Sequence, residues 1–348
     1  MRRTHCPLIA LLCFTLVSAL SVTRLNAADS HAAYVITKSI PLGAPDRWDY
    51  VTYDSTTHRV YAAHENSIAV VDGRSGAILG SIPVPGANGV AVIPSIGKGY
   101  AGSRTTKSVL VFDSSDFSVR KKLPADEDTD GVVYDPASKR VFVMEGDPQK
   151  VLVIDTGSDL VVTRIALHGK PEFAAVDGAG KLYVNIADKR EIQRIDTQTA
   201  KVEATWPIAA CESPHGLSID PASHRLFSSC VNSQMLVVDA RDGRIVATLP
   251  IGLGSDATAF DSTRKRAMSS NWDGTLSVFG AMGSDHYVSL GEVLTQPMAR
   301  TMAVDSESGR VYLVAADRIE VDPSAANPRK RYGVRPGSVR LLFADPTP

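Results

Sequence analysis

The stretch Lys181-Leu182-Tyr183-Val184-Asn185 decides the fold, because its opening pattern of a basic, a small or apolar and a bulky residue returns six more times in the 348-residue chain. Self-similarity of this kind, at a nearly fixed period, is typical of a repeat architecture. Successive copies begin 39 to 44 residues apart. The other six copies are Arg59-Val60-Tyr61, Lys98-Gly99-Tyr100, Arg140-Val141-Phe142, Arg225-Leu226-Phe227, Arg266-Ala267-Met268 and Arg310-Val311-Tyr312.

Each copy lies among short runs of β-branched and aromatic residues that are separated by turn segments such as Asp242-Gly243, and such runs predict strands. Four strands in a repeat of about 42 residues make one propeller blade. The sequence therefore predicts an all-β fold, a seven-bladed β-propeller with four antiparallel strands per blade and no long helix. Third strands are expected to end at Asp72, Asp113, Asp155, Asp196 and Asp239, with Gly280 breaking the series.

The two ends of the chain are expected to meet in the last blade. Residues 34–42 match the fourth strand of a blade, yet they precede the first complete repeat. The last repeat lacks a fourth strand and supplies strands near 301–305, 310–315 and 338–344. We therefore expect the N-terminal strand to complete the last blade and to close the ring without a free edge.

The first 27 residues predict a cleavable signal peptide. They contain three arginines and neither Asp nor Glu, and their apolar run at residues 8–20 is too short to span a bilayer comfortably. Cleavage is expected near Ala27, so residues 28–348 are predicted to form the single propeller domain, with residues 316–337 as a loop inserted in the last blade. The expected location is periplasmic or secreted, without a membrane span.

The cysteines indicate the compartment of the mature chain, and its net charge indicates which partners are expected. Cys6 and Cys13 leave with the signal peptide, and we expect the remaining Cys211 and Cys230 to form a disulfide in an oxidising compartment. The formal net charge of −1 becomes −4 without the signal peptide, because three of 37 basic residues and none of 38 acidic ones are removed. Nucleic acid is therefore not an expected partner. We expect a monomer that binds a small molecule or a protein.

The repeat resembles that of the YVTN-repeat β-propellers, which are exported bacterial proteins, and in particular their YncE-like group. The naming motif survives loosely as Leu182-Tyr183-Val184-Asn185, Val60-Tyr61-Ala62 and Val311-Tyr312-Leu313. The resemblance covers nearly the whole mature chain and implies the propeller fold and export. It does not imply one activity, because propellers carry out many different functions.

One polar residue precedes each predicted first strand, on the face where propeller loops usually meet ligands around the central channel. Two interpretations stay open. The side chains are merely solvated at the border of a wet channel, or they converge on a binding site for a small ligand or a cation. The seven residues are Asp49, Asn88, Asp130, Glu172, His215, Asp256 and Arg300.

Blade three carries an acidic stretch, residues 126–131, that resembles the opening of a calcium-binding loop. The match fails at position twelve, where Ala137 stands in place of Glu, and no flanking helices are predicted. A site for calcium or another divalent cation and a solvated acidic loop remain alternatives, and no cofactor is expected to be required. The ligands of such a site would be Asp126, Asp128, Asp130, Glu145 and Asp147.

Two tryptophans and a histidine are further candidates on this face. Trp48 and Trp272 would offer stacking surface to a ligand, or would act as packing plugs, whereas Trp206 is expected to pack within its blade. His215 could act as an acid–base group, although one His near one acid is weak evidence for catalysis. His64 is the other histidine placed to join it.

The sequence favours a non-catalytic, exported binding protein that presents its polar face to a small ligand or protein, because no compact catalytic motif is present. Residues 252–257 imitate a dinucleotide fingerprint but open no helix, so we discard that interpretation. The alternative is a divalent-metal-dependent hydrolase or lyase resembling the propeller lactonases. In that alternative His215 is the general acid or base, and the ion is held by Asp49, Asn88, Asp130, Glu172 and Asp256.

Overall fold

A computed structural model describes residue 1 and residues 32–45, 47–283, 285–321 and 332–347. The predicted signal peptide lies outside the described residues, apart from residue 1. Residues 32–348 form one unit, to which the description below is confined. No helix in the described ranges is long and apolar enough to cross a membrane.

Seven four-stranded antiparallel sheets form a ring of blades, which confirms the predicted propeller. The chain begins this unit with β1 (Tyr34–Gly43), which belongs to the last blade. Blade one consists of β2 (Val51–Asp54), β3 (Arg59–His64), β4 (Ser67–Asp72) and β5 (Ile78–Pro83). Blade two consists of β6 (Ala87–Ile93), β7 (Lys98–Ser103), β8 (Ser108–Asp113) and β9 (Val119–Pro124). Blade three consists of β10 (Thr129–Asp135), β11 (Arg140–Glu145), β12 (Lys150–Asp155) and β13 (Leu160–Ala166).

The next three blades repeat the same up-and-down order, and blade four consists of β14 (Pro171–Val176), β15 (Lys181–Ile186), β16 (Glu191–Asp196) and β17 (Lys201–Pro207). Blade five consists of β18 (Pro214–Asp220), β19 (Arg225–Cys230), β20 (Gln234–Asp239) and β21 (Ile245–Pro250). Blade six consists of β22 (Ser255–Asp261), β23 (Arg266–Asn271), β24 (Thr275–Ala281) and β25 (Tyr287–Leu294). The one helical element among the described residues is a 3-10 turn at Pro94–Ile96.

The seventh blade is assembled from both ends of the chain. Its strands run in the order β1, β30, β27, β26 across the sheet. Within the stretch 316–337, two short strands pair as an antiparallel ladder before the chain returns to the blade. The remaining strands are β26 (Thr301–Val304), β27 (Val311–Ala315), the ladder strands β28 (Arg318–Glu320) and β29 (Tyr332–Val334), and β30 (Val339–Pro346).

In five blades an Asp ends the third strand, and its carboxylate accepts hydrogen bonds from the turn that follows. The Asp72 carboxylate accepts the backbone N–H groups of Arg74 and Ser75 at 3.1 and 2.6 Å. In blade two, hydrogen bonds from Ser115 lower the pKa of Asp113 to about 2. This Asp therefore recurs because the turn needs an acceptor. The equivalent residues in the next three blades are Asp155, Asp196 and Asp239.

The bulky residue of each second strand is buried between neighbouring blades. Three of the tyrosine hydroxyls also donate a hydrogen bond to the next blade. Tyr183 donates to the Ala240 carbonyl at 3.2 Å, and Tyr312 donates to the Gly73 carbonyl of blade one at 3.0 Å. The repeated position thus fills the space between blades and links them. Its occupants are Tyr61, Tyr100, Phe142, Tyr183, Phe227, Met268 and Tyr312.

The predicted closure of the ring by the N-terminal strand is confirmed. β1 pairs antiparallel with β30, and Tyr34 lies opposite Pro346. Arg310 then joins the seventh blade to the first, because its guanidinium lies 2.6 Å from the Asp345 carboxylate and donates to the Gly73 carbonyl at 2.8 Å. The N-terminal strand β1 is therefore the outermost strand of the seventh blade, and the two ends of the chain pair in one sheet.

We expect Tyr34→Ala to destabilise the protein by about 3–5 kcal/mol, the usual range for removing a buried aromatic side chain. Tyr34 is 1% exposed and packs against apolar residues of blades six and seven. Val35→Ala on the same strand is the matched control, because Val35 is 50% exposed. It should change stability by less than about 0.5 kcal/mol. Urea unfolding measures both, and equal effects would contradict the closing role of β1.

Candidate functional site

The seven polar positions of the internal repeat line one cavity at the centre of the ring, with a volume of about 170 Å³. Five of them were expected just before a first strand but are its second residue, where the ladder has a register shift. The two others lie just outside β2 and β26. The five are Asn88, Asp130, Glu172, His215 and Asp256.

Close packing of the first strands explains the convergence. A Cβ atom added at Gly89 would lie 2.4 Å from the Asp130 carbonyl oxygen of the next blade, and one at Gly216 would lie 2.6 Å from the Thr258 nitrogen. No side chain fits at these two positions, which directly follow Asn88 and His215. Backbones can therefore approach each other at the axis while the preceding polar residues line the cavity.

Six further residues line the cavity, and repeat indexing did not assign them to it. Tyr50 and Phe173 directly follow the indexed residues Asp49 and Glu172, and this adjacency was the signal that could have revealed them. Arg104 lies beyond the second strand of blade two, where the repeat pattern carries no signal. The other three are Arg47, Asp128 and Lys170.

Tyr50 and Phe173 form an aromatic floor across the cavity. Their ring centroids are 4.4 Å apart and the rings are stacked. Because Tyr50 belongs to blade one and Phe173 to blade four, the contact spans the axis from opposite sides of the ring. The Tyr50 hydroxyl is buried without a hydrogen-bond partner among the described residues. Burial raises the pKa of Tyr50 well above its usual value, so the phenol stays neutral.

Three cationic side chains of the cavity are already paired with carboxylates. Arg47 lies 3.6 Å from Asp49, and Lys170 lies 3.3 Å from Asp128. The third pair joins Arg300 to Asp256. Burial raises the pKa of Asp49 to about 6 even though the Arg300 charge opposes the shift. These pairs neutralise much of the charge on the cavity wall, and only a few charged side chains of the wall lack a partner among the residues that the structure describes.

Two carboxylates and one guanidinium of the cavity form no hydrogen bond or ion pair through their side chains with any described residue: Asp130, Glu172 and Arg104. Water in the cavity reaches Asp130, yet its deep position raises its pKa well above the usual range, and Asp49 and Glu172 add to the shift. Burial likewise raises the pKa of Glu172, while His215 opposes this shift.

Two further polar side chains of the wall, Asn88 and His215, add to these carboxylates. Asn88 is 2% exposed, and its Nδ2 donates to the Thr129 carbonyl at 2.8 Å while its buried Oδ1 has no partner among the described residues. Nδ1 of His215 lies 2.8 Å from the Ser213 carbonyl and must be the donor in that bond. Nε2 is therefore an acceptor when the ring is neutral and a second donor when the ring is protonated.

The predicted disulfide between Cys211 and Cys230 is present, and it holds the loop that leads into β18. Cys230 ends β19, and its partner in the ladder is Pro214, the residue before His215. The disulfide thus fixes the chain beside this histidine. His64 is buried at the end of β3 and does not line the cavity.

The acidic stretch of blade three does not bring its carboxylates to one point. Asp126 lies 3.7 Å from Lys150, and the fully buried Glu145 accepts the backbone N–H of Asp126 at 2.7 Å. Asp147 is largely exposed, and only Asp128 and Asp130 of the expected set line the cavity. Within the described ranges, no three His, Cys, Asp or Glu residues are arranged to hold a metal ion.

The tryptophans occupy other places. Trp48 and Trp272 lie together at a second cavity beside the polar one, not inside it. Trp48 is buried in the core cluster of blades one and seven, as its packing interpretation expects. Trp206 stacks on Tyr183 with ring centroids 6.2 Å apart, which confirms the expected role within its blade.

Comparison with known proteins supports the fold and does not extend to function. No family model and no curated protein matches the chain. Among solved structures, the chain is similar to Hydrazine Synthase from Kuenenia stuttgartiensis, with a TM-score of 0.68 over 80% of this chain and 95% of that chain. The sequence identity is 15%, so the likeness shows the fold alone. Membership of the YVTN-repeat family stays a prediction.

We expect Asp130→Asn to raise the melting temperature at pH 7 by roughly 2–4 °C, as relief of about 1 kcal/mol would do. Because the pKa of Asp130 is raised in the folded state, ionisation above its ordinary pKa favours the unfolded chain. The gain should therefore shrink as the pH falls from 7 to 4, because the unfolded carboxyl is about half protonated near pH 4. Thermal unfolding from pH 4 to pH 8 measures this difference.

The exposed Asp147 provides the control, since Asp147→Asn on the same face should leave the melting temperature unchanged across that range. A lower melting temperature for Asp130→Asn at pH 7 would mean that protein contacts stabilise the ionised carboxylate.

Proposed function

We propose that this chain is an exported, non-catalytic binding protein whose central cavity takes a small organic cation, a primary amine with further polar groups. One observation carries the proposal. The cavity leaves its acceptors on Asp130, Glu172 and Asn88 without partners, although three neighbouring cations are paired. The buried Oδ1 of Asn88 is an exception to the rule that buried polar groups are satisfied, and it lines the same cavity as the two unpaired carboxylates, so this excess of acceptors favours a ligand that brings donors.

An ammonium group suits these acceptors because it offers three donors and a positive charge. Placed beside Asp130, that charge would lower the pKa of the carboxyl and ionise it at neutral pH. The stacked rings of Tyr50 and Phe173 add a surface to which cations are attracted. When its imidazole is neutral, His215 gives a further acceptor at Nε2 on the same wall.

Arg104 and the cavity volume limit the rest of the ligand. The unpaired guanidinium of Arg104 favours a hydroxyl, carbonyl or carboxylate on the same molecule. At about 170 Å³, the cavity is smaller than the ~300–1,000 Å³ of typical small-molecule sites. A ligand portion of only a few heavy atoms therefore fits in it.

Binding without catalysis is favoured by the groups in the wall. Among the described lining residues there is no Ser, Thr or Cys to serve as a nucleophile. His215 and Glu172 could exchange protons, but Nδ1 of His215 is held by a backbone carbonyl and not by a carboxylate. We therefore assign His215 a binding role.

The metal-dependent hydrolase or lyase would use the same cavity with a different occupant. Its ligands Asp49 and Asp256 already have arginine partners, which a divalent ion would have to displace. An organic cation needs no such rearrangement, because it meets Asp130 and Glu172 directly. This is why we favour the amine.

Export is proposed from the disulfide together with the predicted signal peptide. Cys211 and Cys230 are both fully buried and bonded to each other, and such bonds persist mainly in oxidising compartments. The periplasm and the extracellular space both provide that condition.

Ethanolamine is the simplest probe of the proposal, because it carries one ammonium and one hydroxyl group. We expect it to bind at pH 7 with release of up to one proton, as the carboxyl of Asp130 ionises. Isothermal titration in two buffers of different ionisation enthalpy measures both affinity and proton release. Asp130→Asn should weaken binding about tenfold or more and abolish the release.

Asp147→Asn is again the matched control and should bind ethanolamine like the parent protein. Two results would contradict the proposed function: no binding at millimolar ethanolamine, or equal binding and proton release by Asp130→Asn.

Metal dependence is tested separately by thermal unfolding with EDTA and then with calcium or zinc. We expect shifts below about 1 °C, because a metal that binds the folded state must raise stability and the carboxylates are dispersed or paired. A stoichiometric metal that stabilises the protein and is lost in Asp130→Ala would favour the hydrolase or lyase.

A further inference from the structure

A second cavity of about 180 Å³ lies beside the polar one and differs from it in chemistry. Its walls are Trp48, Trp272, Met298 and Val334, together with two arginines. Those arginines, Arg47 and Arg300, also line the polar cavity. The two cavities are therefore neighbours that share these two side chains as a common wall.

The walls of this second cavity, which we call the tryptophan pocket, are held in place by packing. Trp48 and Met298 are each 5% exposed and belong to one buried cluster, against which Trp272 and Val334 also pack. Val334 comes from β29, so the segment inserted in the seventh blade supplies one wall. The Arg300 guanidinium lies 5.8 Å from the centre of the Trp272 ring.

The tryptophan pocket contains hydrogen-bond donors that have no acceptors. Nε1 of Trp48 and Nε of Arg300 are both buried, and neither has a partner in the described part of the chain. Buried N–H groups are rarely left in this state, and none of the pocket's wall residues carries an acidic side chain. A ligand that fits here is flat and apolar and carries a hydrogen-bond acceptor.

The volume agrees with one aromatic ring, because an apolar protein cavity of about 150 Å³ accommodates benzene. A ring beside the two indoles can pack edge to face or offset, as aromatic pairs prefer. A phenolic or carbonyl oxygen on that ring would accept from the Trp48 N–H.

We propose that the tryptophan pocket is the aromatic subsite of a two-part ligand site, and that the ligand is an arylalkylamine with an oxygen on its ring. This inference rests on the proposed function, since the amine end lies in the polar cavity near Asp130. Arg300 stays bound to Asp256 and forms the boundary between the two ends. A chain of two or three carbons would connect them.

Three probes test the two parts of the proposed ligand separately and together. Ethanolamine carries the amine, p-cresol carries the aromatic ring, and tyramine carries both. Titration calorimetry gives the affinities, and fluorescence of the three tryptophans reports occupation of the tryptophan pocket. We expect tyramine to bind at least about tenfold more tightly than either single-ended probe. Its binding should change tryptophan fluorescence, whereas that of ethanolamine should not.

Two variants address the tryptophan pocket without touching the polar cavity. Val334→Phe fills the space and should weaken tyramine binding about tenfold, and Trp48→Phe removes the indole N–H together with the five-membered ring and should weaken it severalfold. Neither should change ethanolamine binding. Trp206→Phe is the matched control, because Trp206 packs inside blade four against Tyr183. It should leave the affinities of all three probes unchanged.

The outcomes distinguish this inference from the proposed function. Equal affinities for tyramine and ethanolamine, unaffected by Val334→Phe, would overturn the aromatic subsite and leave the amine site standing. Binding of p-cresol without either amine would overturn the two-part site by removing its polar end. Absence of binding by all three probes would overturn both proposals.

Discussion

Seven first strands pack around a single axis, and the rest of the structure depends on that packing. At Gly89 and Gly216 the neighbouring backbone leaves no room for a side chain, so the strands meet with nothing between them. The polar residue before each glycine is thereby directed into the same central space as its equivalents in the other blades. Convergence of seven distant sequence positions on one cavity is a consequence of backbone geometry, and it requires no contact between the side chains themselves.

The internal repeat separates residues that maintain the fold from residues that give this protein its chemistry. Positions with the same structural role in most blades carry the same or a similar residue type, as with the turn-forming Asp72 or the buried Tyr61. At the cavity the blades differ, and carboxylates, an amide, an imidazole and a guanidinium occupy equivalent positions. A ring that only had to be solvated would not need this variety. Divergence within the repeat is therefore informative about ligand recognition.

Much of the fold could be predicted because strand patterns and turn residues are local signals. The pairing of residues 34–42 with the end of the chain followed from counting strands, and the structure confirms it. The members of the cavity were predictable only as far as the repeat indexes them. Adjacency to Asp49 and Glu172 could have indicated that Tyr50 and Phe173 line the cavity, but no spacing in the sequence encodes their contact across the axis.

The carboxylates of the acidic stretch lie apart from one another for a related reason. Its carboxylates are close in sequence, but strand geometry and cations from other strands decide where each one lies. Lys150 attracts Asp126 and Lys170 attracts Asp128, so residues that could share an ion in isolation are drawn apart. Sequence proximity of like charges does not by itself predict a metal site, since the same repulsion that a metal relieves can be relieved by nearby lysines.

The pattern of pairing favours the proposed binding site over a ring that is only solvated. The cavity has the means to neutralise its carboxylates, because Arg47, Lys170 and Arg300 each hold one. Arg104 lines the same cavity, yet it forms no ion pair with Asp130 or Glu172. Burial raises the pKa of Asp130 and of Glu172, and this lowers the stability of the folded protein at neutral pH. Simple solvation of the ring does not explain why these two carboxyls are kept at such a cost. A ligand that supplies a positive charge removes that disadvantage when it binds, and the unpaired carboxyls then contribute to affinity.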